Sequence, residues 1–102
     1  MGARMTHLNG QITYNDKTTD SRFNRFVEEK IKGWIQQNFS MEDENSSFHV
    51  AFFDESSIGE VSCLLEVTVN NDHWRSWEMA DNARVALSRS IDQLAIESNM
   101  HH

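Results

Sequence analysis

The sequence is poor in the residues that mark several common classes of protein. It has no proline and one cysteine, Cys63, so no disulfide forms within the chain. Its four glycines are isolated from one another, which argues against a glycine-rich loop that binds nucleotide phosphates. No apolar run reaches the roughly 18 residues of a membrane span. The first residues, MGARMTHLNG, lack the apolar segment of a secretion signal, so we expect a cytoplasmic protein.

The remaining composition is that of a globular protein. Apolar residues make up 38% and charged residues 25% of the 102 residues, which argues against disorder. A chain of this length predicts one domain. We expect it to be ordered from about residue 5 to about residue 98, and the sequence leaves open whether end residues such as His101 and His102 are native or a tag.

Positive charge is scarce and unevenly placed. The formal net charge is −7. Residues 1–35 carry six Lys/Arg and four Asp/Glu, whereas residues 36–102 carry three Lys/Arg and twelve Asp/Glu. Any binding to nucleic acid, which depends on positive charge, must therefore draw largely on the first third of the chain.

An amphipathic helix is predicted from Asp20 to about Phe39, in the segment DSRFNRFVEEKIKGWIQQNF. Asp20 stands at the N-cap position. Apolar residues recur three and four positions apart and form one stripe, interrupted by Lys30, that consists of Phe23, Phe26, Val27, Ile31, Trp34 and Ile35. Three aromatic rings in one stripe must pack on another layer of structure.

Strand patterns surround this helix. Alternating apolar residues predict strands at about 8–14, 46–54 and 60–70, and a shorter strand at 73–80. Residues 15–19, 40–47 and 55–59 are predicted loops or turns, as are Asn70, Asn71 and Asp72. A second helix is predicted to begin after Asp81 or Asn82 and to run to about Ser98.

The predicted order is β-α-β-β-β-α. We expect an α+β fold of two layers, in which both helices cover one face of a four-stranded mixed sheet. The other face is expected to meet solvent, with Ser62, Glu66 and Thr68 outward. Phe53, Leu64 and Trp74 are expected on that open face, where they predict an apolar contact surface for a protein partner or a homodimer.

The sequence offers little to catalysis. Cys63 is predicted to point into the core and His49 to the opposite face, too far apart for proton transfer. No histidine pair has the spacing of a helical metal site, and the acidic run Glu42–Glu44 lacks the pattern of a calcium loop. We expect no enzyme activity, no metal and no cofactor.

Basic residues on the two helices are the candidate binding groups. Lys30 lies within the apolar stripe, so its ammonium group must emerge beside the second helix. Adjacent helices that present cations on one side suit the phosphates of RNA, although for Arg25 or Lys32 taken alone ordinary surface charge is the better explanation. The predicted RNA-binding residues are Arg22, Arg25, Lys30, Lys32, Arg84 and Arg89.

Two segments occur in an order and spacing known from one protein family. DSRFNRFVEEKIKGW carries Asp20 at the capping position and follows Ile12-Thr13 at the expected interval; the second segment is NARVALSRSIDQL, residues 82–94. In these features the chain resembles the ribosome hibernation-promoting factors, also called ribosome-associated inhibitors or sigma-factor modulation proteins, in a short, diverged form. It departs from the family pattern at Arg84, where the family has tyrosine, and at Gln93, where it has lysine.

The resemblance implies a β-α-β-β-β-α fold. It also implies a stress-response factor that binds the small ribosomal subunit near the decoding region, contacts ribosomal RNA through basic helices and inhibits translation without being an enzyme. The alternative, favoured by the acidic residues 36–102, is a diverged protein–protein interaction module that binds no RNA.

Overall fold

A five-stranded sheet carries two helices on one face. The computed structural model describes residues 7–39, 45–69 and 72–100. The elements are β1 (His7–Tyr14), β2 (Lys17–Thr18), α1 (Ser21–Asn38), β3 (Asn45–Glu55), β4 (Glu60–Val69), β5 (Asp72–Ala80) and α2 (Ala83–Met100). The two-layer α+β prediction is confirmed. The predicted acidic loop at Glu42–Glu44 and the turn residues Asn70 and Asn71 lie outside the described residues.

The strand order is β2-β1-β3-β4-β5. β1 and β3 are parallel, as expected for strands joined through α1, and the remaining neighbours are antiparallel. β2 is the additional strand. Asn15 and Asp16 both have positive φ, 52° and 66°, so the chain reverses within two residues and Lys17–Thr18 pairs back onto Thr13–Tyr14.

The first helix forms as its sequence predicts. The Asp20 carboxylate accepts a hydrogen bond of 2.8 Å from the backbone N–H of Phe23 and caps the first turn. The stripe then places Val27, Ile31, Trp34 and Ile35 in the core. Phe23 packs edge-on against Phe52 of β3, with ring centroids 5.3 Å apart.

Small side chains bring the second helix close to the sheet. Asn82 is its cap, because its side-chain oxygen accepts from the backbone N–H of Val85 at 3.0 Å. The Ser90 hydroxyl donates to the carbonyl oxygen of Cys63 at 3.0 Å, and Ser76 donates to the Ser90 carbonyl at 2.7 Å. Ser90 and Ser76 are both buried, and these bonds satisfy their hydroxyl groups between α2 and the sheet.

The assignment of Trp74 to the open face is wrong. Val69 pairs with Asp72, so even-numbered residues of β5 share a face with odd-numbered residues of β4. Trp74 therefore stands beside Val67 in the core, where it is 7% exposed and packs edge-on against Trp34 and Phe39. Trp77, which pairs with Leu64, takes the place on the open face that was predicted for Trp74.

Candidate nucleic-acid interface

Two cationic side chains from different helices meet over one aromatic ring. The Lys30 Nζ lies 5.7 Å from the centroid of the Phe26 ring, and the Arg84 Cζ lies 4.4 Å from it. Both distances fall within the range of cation–π attraction. We call Lys30, Arg84 and Phe26 the cationic seam.

Local structure explains why these three residues meet. Phe26 and Lys30 are four residues apart on α1 and so lie on one side of that helix. Phe26 is partly buried and packs against the core. Arg84 is the second residue of α2. Because this helix begins directly after Asn82, Arg84 lies in its first turn, from which the guanidinium group reaches Phe26.

Acidic residues stand close to the seam without pairing with it. Between the helices runs a groove of about 530 Å³, and its lining includes Lys30, Trp34, Glu29 and Asp92. Residues 7–39, 45–69 and 72–100 contain one ion pair. It joins Arg75 to Glu66 at 2.9 Å on the sheet and involves neither Lys30 nor Arg84. Lys30 and Arg84 are thus available to a ligand within the described part of the chain, while Glu29 and Asp92 reduce the positive potential of the groove.

The other predicted basic residues are distributed around the helices. Arg22 is exposed on α1, one turn before Phe26, and adjoins the seam. Arg25 and Lys32 line a separate depression of about 300 Å³ together with Glu28 and Glu29. Arg89 lies roughly 140° around α2 from Arg84. Its guanidinium donates to the Met79 carbonyl oxygen at 2.8 Å, on the β5 side.

The open face carries an exposed aromatic residue that the sequence reading missed. Trp77 is 54% exposed and pairs across the strands with Leu64, which is partly exposed like Phe53. The register between β4 and β5 was the missing signal, since a shift of one residue exchanges Trp74 and Trp77 between the two faces.

Cys63 and His49 lie on opposite faces of the sheet, as predicted. Cys63 is fully buried beside Phe52, whereas His49 pairs with Glu66 on the open face. Burial raises the pKa of the Cys63 thiol to about 12, which keeps it protonated and unreactive at neutral pH.

In the described part of the chain, no three His, Cys, Asp or Glu side chains are grouped to hold a metal ion. Neither helix, over its described residues, is long and apolar enough to cross a membrane.

Two solved structures share this fold. The first is the N-terminal domain of Protein Y from Thermus thermophilus, with a TM-score of 0.72 and 12% sequence identity over 95% of this chain and 100% of that domain. The second is a ribosomal subunit interface protein from Coxiella burnetii, with a TM-score of 0.62 and 13% identity over 89% of this chain and 98% of that protein.

Both proteins are of the family that the sequence resembles, so the resemblance is confirmed at the level of the fold. No family model matches the sequence. No curated protein matches it either.

Proposed function

We propose that this protein binds the small ribosomal subunit through its helical face and holds the subunit inactive. The observation that carries the proposal is the convergence of Lys30 and Arg84 on Phe26, on a fold shared with a ribosomal subunit interface protein. The ligand of the seam is the phosphate backbone of ribosomal RNA. The protein acts by occupying its site in the cytoplasm, in one-to-one stoichiometry, and not by catalysis.

The seam suits phosphate because both cations are partly positioned before binding. The Arg84 guanidinium rests on an aromatic face, so it loses less side-chain freedom when it contacts a phosphate. Lys30 is exposed, and its Nζ is drawn toward the same ring at 5.7 Å from the centroid. Arg22, one turn away, extends the positive surface along α1.

The overall negative charge does not prevent this contact. At physiological ionic strength, charges separated by more than about 8 Å are largely screened from each other by salt. A phosphate at the seam therefore responds chiefly to Lys30, Arg84 and the carboxylates that line the groove beside Lys30, Glu29 and Asp92. The acidic residues of β3, β4 and β5 lie beyond the helix layer and have a weaker effect.

Sedimentation with purified small subunits tests the proposal. The double variant Lys30→Gln/Arg84→Gln removes two charges from the seam. The double variant Lys17→Gln/Arg75→Gln removes two charges from β2 and from the open face, so both variants have the same net charge. We expect the seam variant to lose binding by about tenfold or more, and the control to retain it.

Salt provides a second measure in the same experiment. Each lost phosphate contact should reduce the slope of log affinity against log salt by about 1. Equal binding and equal slopes in both double variants would contradict the seam as the RNA contact. A failure of the unmodified protein to sediment with subunits at low salt would contradict ribosome binding itself.

A further inference from the structure

The open face of the sheet has an apolar centre. β4 and β5 place Leu64 beside Trp77 and Ser62 beside Met79, while β3 places Phe53 beside Ser62. Trp77 is 54% exposed, and Leu64, Met79 and Phe53 are each partly exposed. We call these four apolar residues the Trp77 patch.

This patch differs from the other exposed apolar side chains of the described residues. Ile58 and Val85 are also exposed, at 58% and 41%, but one lies in the β3–β4 turn and the other on α2. Trp77 instead lies among apolar neighbours on three adjacent strands. A tryptophan at the centre of a contiguous apolar patch is the usual anchor of a protein interface.

The charges around the patch are unbalanced. Toward the β3–β4 turn, Glu55 and Glu60 stand directly opposite each other on the open face, a pairing of like charges that costs stability. Toward the other end, Glu66 pairs with Arg75 at 2.9 Å, so that row contributes no net charge. The rim of the patch is therefore negative, because Glu55 and Glu60 have no cation beside them among the described residues.

We propose that the Trp77 patch is a docking surface for a basic polypeptide segment that carries an apolar side chain. The apolar residue packs on Trp77 and Leu64, and a Lys or Arg on the same segment lies between Glu55 and Glu60. The inference concerns the face opposite the cationic seam and does not rest on ribosome binding.

Charge decides between the conceivable occupants. RNA is disfavoured because Arg75 is already paired and the remaining rim repels phosphate. A second copy of this chain is disfavoured because apposed faces bring two Glu55–Glu60 pairs together, on molecules that each carry −7. A basic segment alone relieves the repulsion between the two glutamates while it covers the patch.

NMR titration with synthetic peptides tests the proposal. The probe is a peptide in which Lys alternates with Leu over about ten residues, the length of β4. Peptides that alternate Lys with Ser, and Glu with Leu, separate the contributions of apolar contact and charge. The three indole N–H signals report the site, because Trp34 and Trp74 are buried and Trp77 is exposed.

We expect the Lys–Leu peptide to shift the Trp77 indole and the amides of β4 and β5, and to bind about tenfold more tightly than either comparison peptide. Trp77→Thr should weaken binding by about tenfold, and Glu60→Gln by about threefold. The matched controls Val85→Thr and Glu28→Gln remove an exposed apolar side chain and an exposed acid elsewhere, and should leave the affinity unchanged.

Several outcomes would overturn the proposal. One is equal binding of the Lys–Ser peptide, with shifts spread over all acidic residues. Another is a homodimer in sedimentation equilibrium that Trp77→Thr dissociates, since this assigns the patch to a second copy. A third is an oligouridylate that shifts Trp77, since this assigns the patch to RNA.

Discussion

The Phe48 ring lies over Gly10, its neighbour in the parallel pair of β1 and β3, and fills the space that a side chain on Gly10 would occupy. Gly10 thus allows a large core residue to cover the backbone of β1. A glycine inside a strand is typical of a bulge or of a close approach to the backbone, and at Gly10 it is the Phe48 ring that approaches closely.

Replacing Gly10 should destabilise the fold. In Gly10→Ala the new Cβ overlaps the Phe48 ring, so the ring or β1 must move, at a cost of about 1–3 kcal/mol in the free energy of unfolding. Gly33→Ala is the matched control. Gly33 lies inside α1 with open space around its Cβ position, and alanine should stabilise the helix there by up to about 1 kcal/mol. Urea unfolding followed by circular dichroism measures both, and a destabilisation equal in the two variants would contradict the packing of Phe48 on Gly10.

The register of β5 predicts a sharp difference between its two tryptophans. Trp74→Ala removes a buried ring that packs on Trp34 and Phe39, and should cost about 3–5 kcal/mol. Trp77→Ala removes a half-exposed ring from the open face, and should cost less than about 1 kcal/mol. Urea unfolding of each variant gives the comparison. Similar costs for both would mean that β5 is paired to β4 in another register.

Stability should fall at alkaline pH. Burial raises the pKa of the Cys63 thiol from 9.0 to about 12, and burial with a hydrogen bond to Asp54 raises the pKa of the Tyr14 hydroxyl from 10.0 to about 12. At pH values between the ordinary and the raised pKa of each group, the folded chain retains a proton that the unfolded chain releases. The free energy of unfolding therefore decreases as pH rises from about 9 to about 12.

Variants assign this pH dependence to each group. Tyr14→Phe should flatten the part above pH 10.0, and Cys63→Ala the part that begins near pH 9.0. Urea unfolding at a series of pH values supplies the curves. Unchanged slopes in both variants would show that neither hydroxyl nor thiol is held protonated by the fold.

Removing acids from the helical groove should strengthen RNA binding. Glu29 and Asp92 line the groove beside Lys30, and each carboxylate opposes an approaching phosphate. The double variant Glu29→Gln/Asp92→Asn should raise the affinity for small subunits by about three- to tenfold at low salt, and by less at high salt. Glu55→Gln/Glu60→Gln is the control on the open face. A larger gain in affinity from the control would indicate that RNA contacts the open face of the sheet, and would contradict binding at the cationic seam.

Periodicity was sufficient to predict the two helices, the long strands and their layering. Val27, Ile31 and Trp34 repeat at helical spacing and are buried as predicted. Periodicity was not sufficient for features set by contacts between elements. A tight turn at Asn15-Asp16 creates β2, and pairing of Val69 with Asp72 places Trp77 outside. Likewise, Lys30 was predicted to reach the edge of the second helix, but its meeting with Arg84 on Phe26 depends on the angle and start of α2.

Photo-cross-linking from single positions to purified small subunits tests binding through the helical face most directly. A photoreactive amino acid at Ser88 lies in the groove beside the cationic seam, and one at His73 lies on the exposed opposite face. Binding through the helical face predicts cross-links to ribosomal RNA from Ser88 and none from His73. Cross-links to RNA from His73, with none from Ser88, would contradict it.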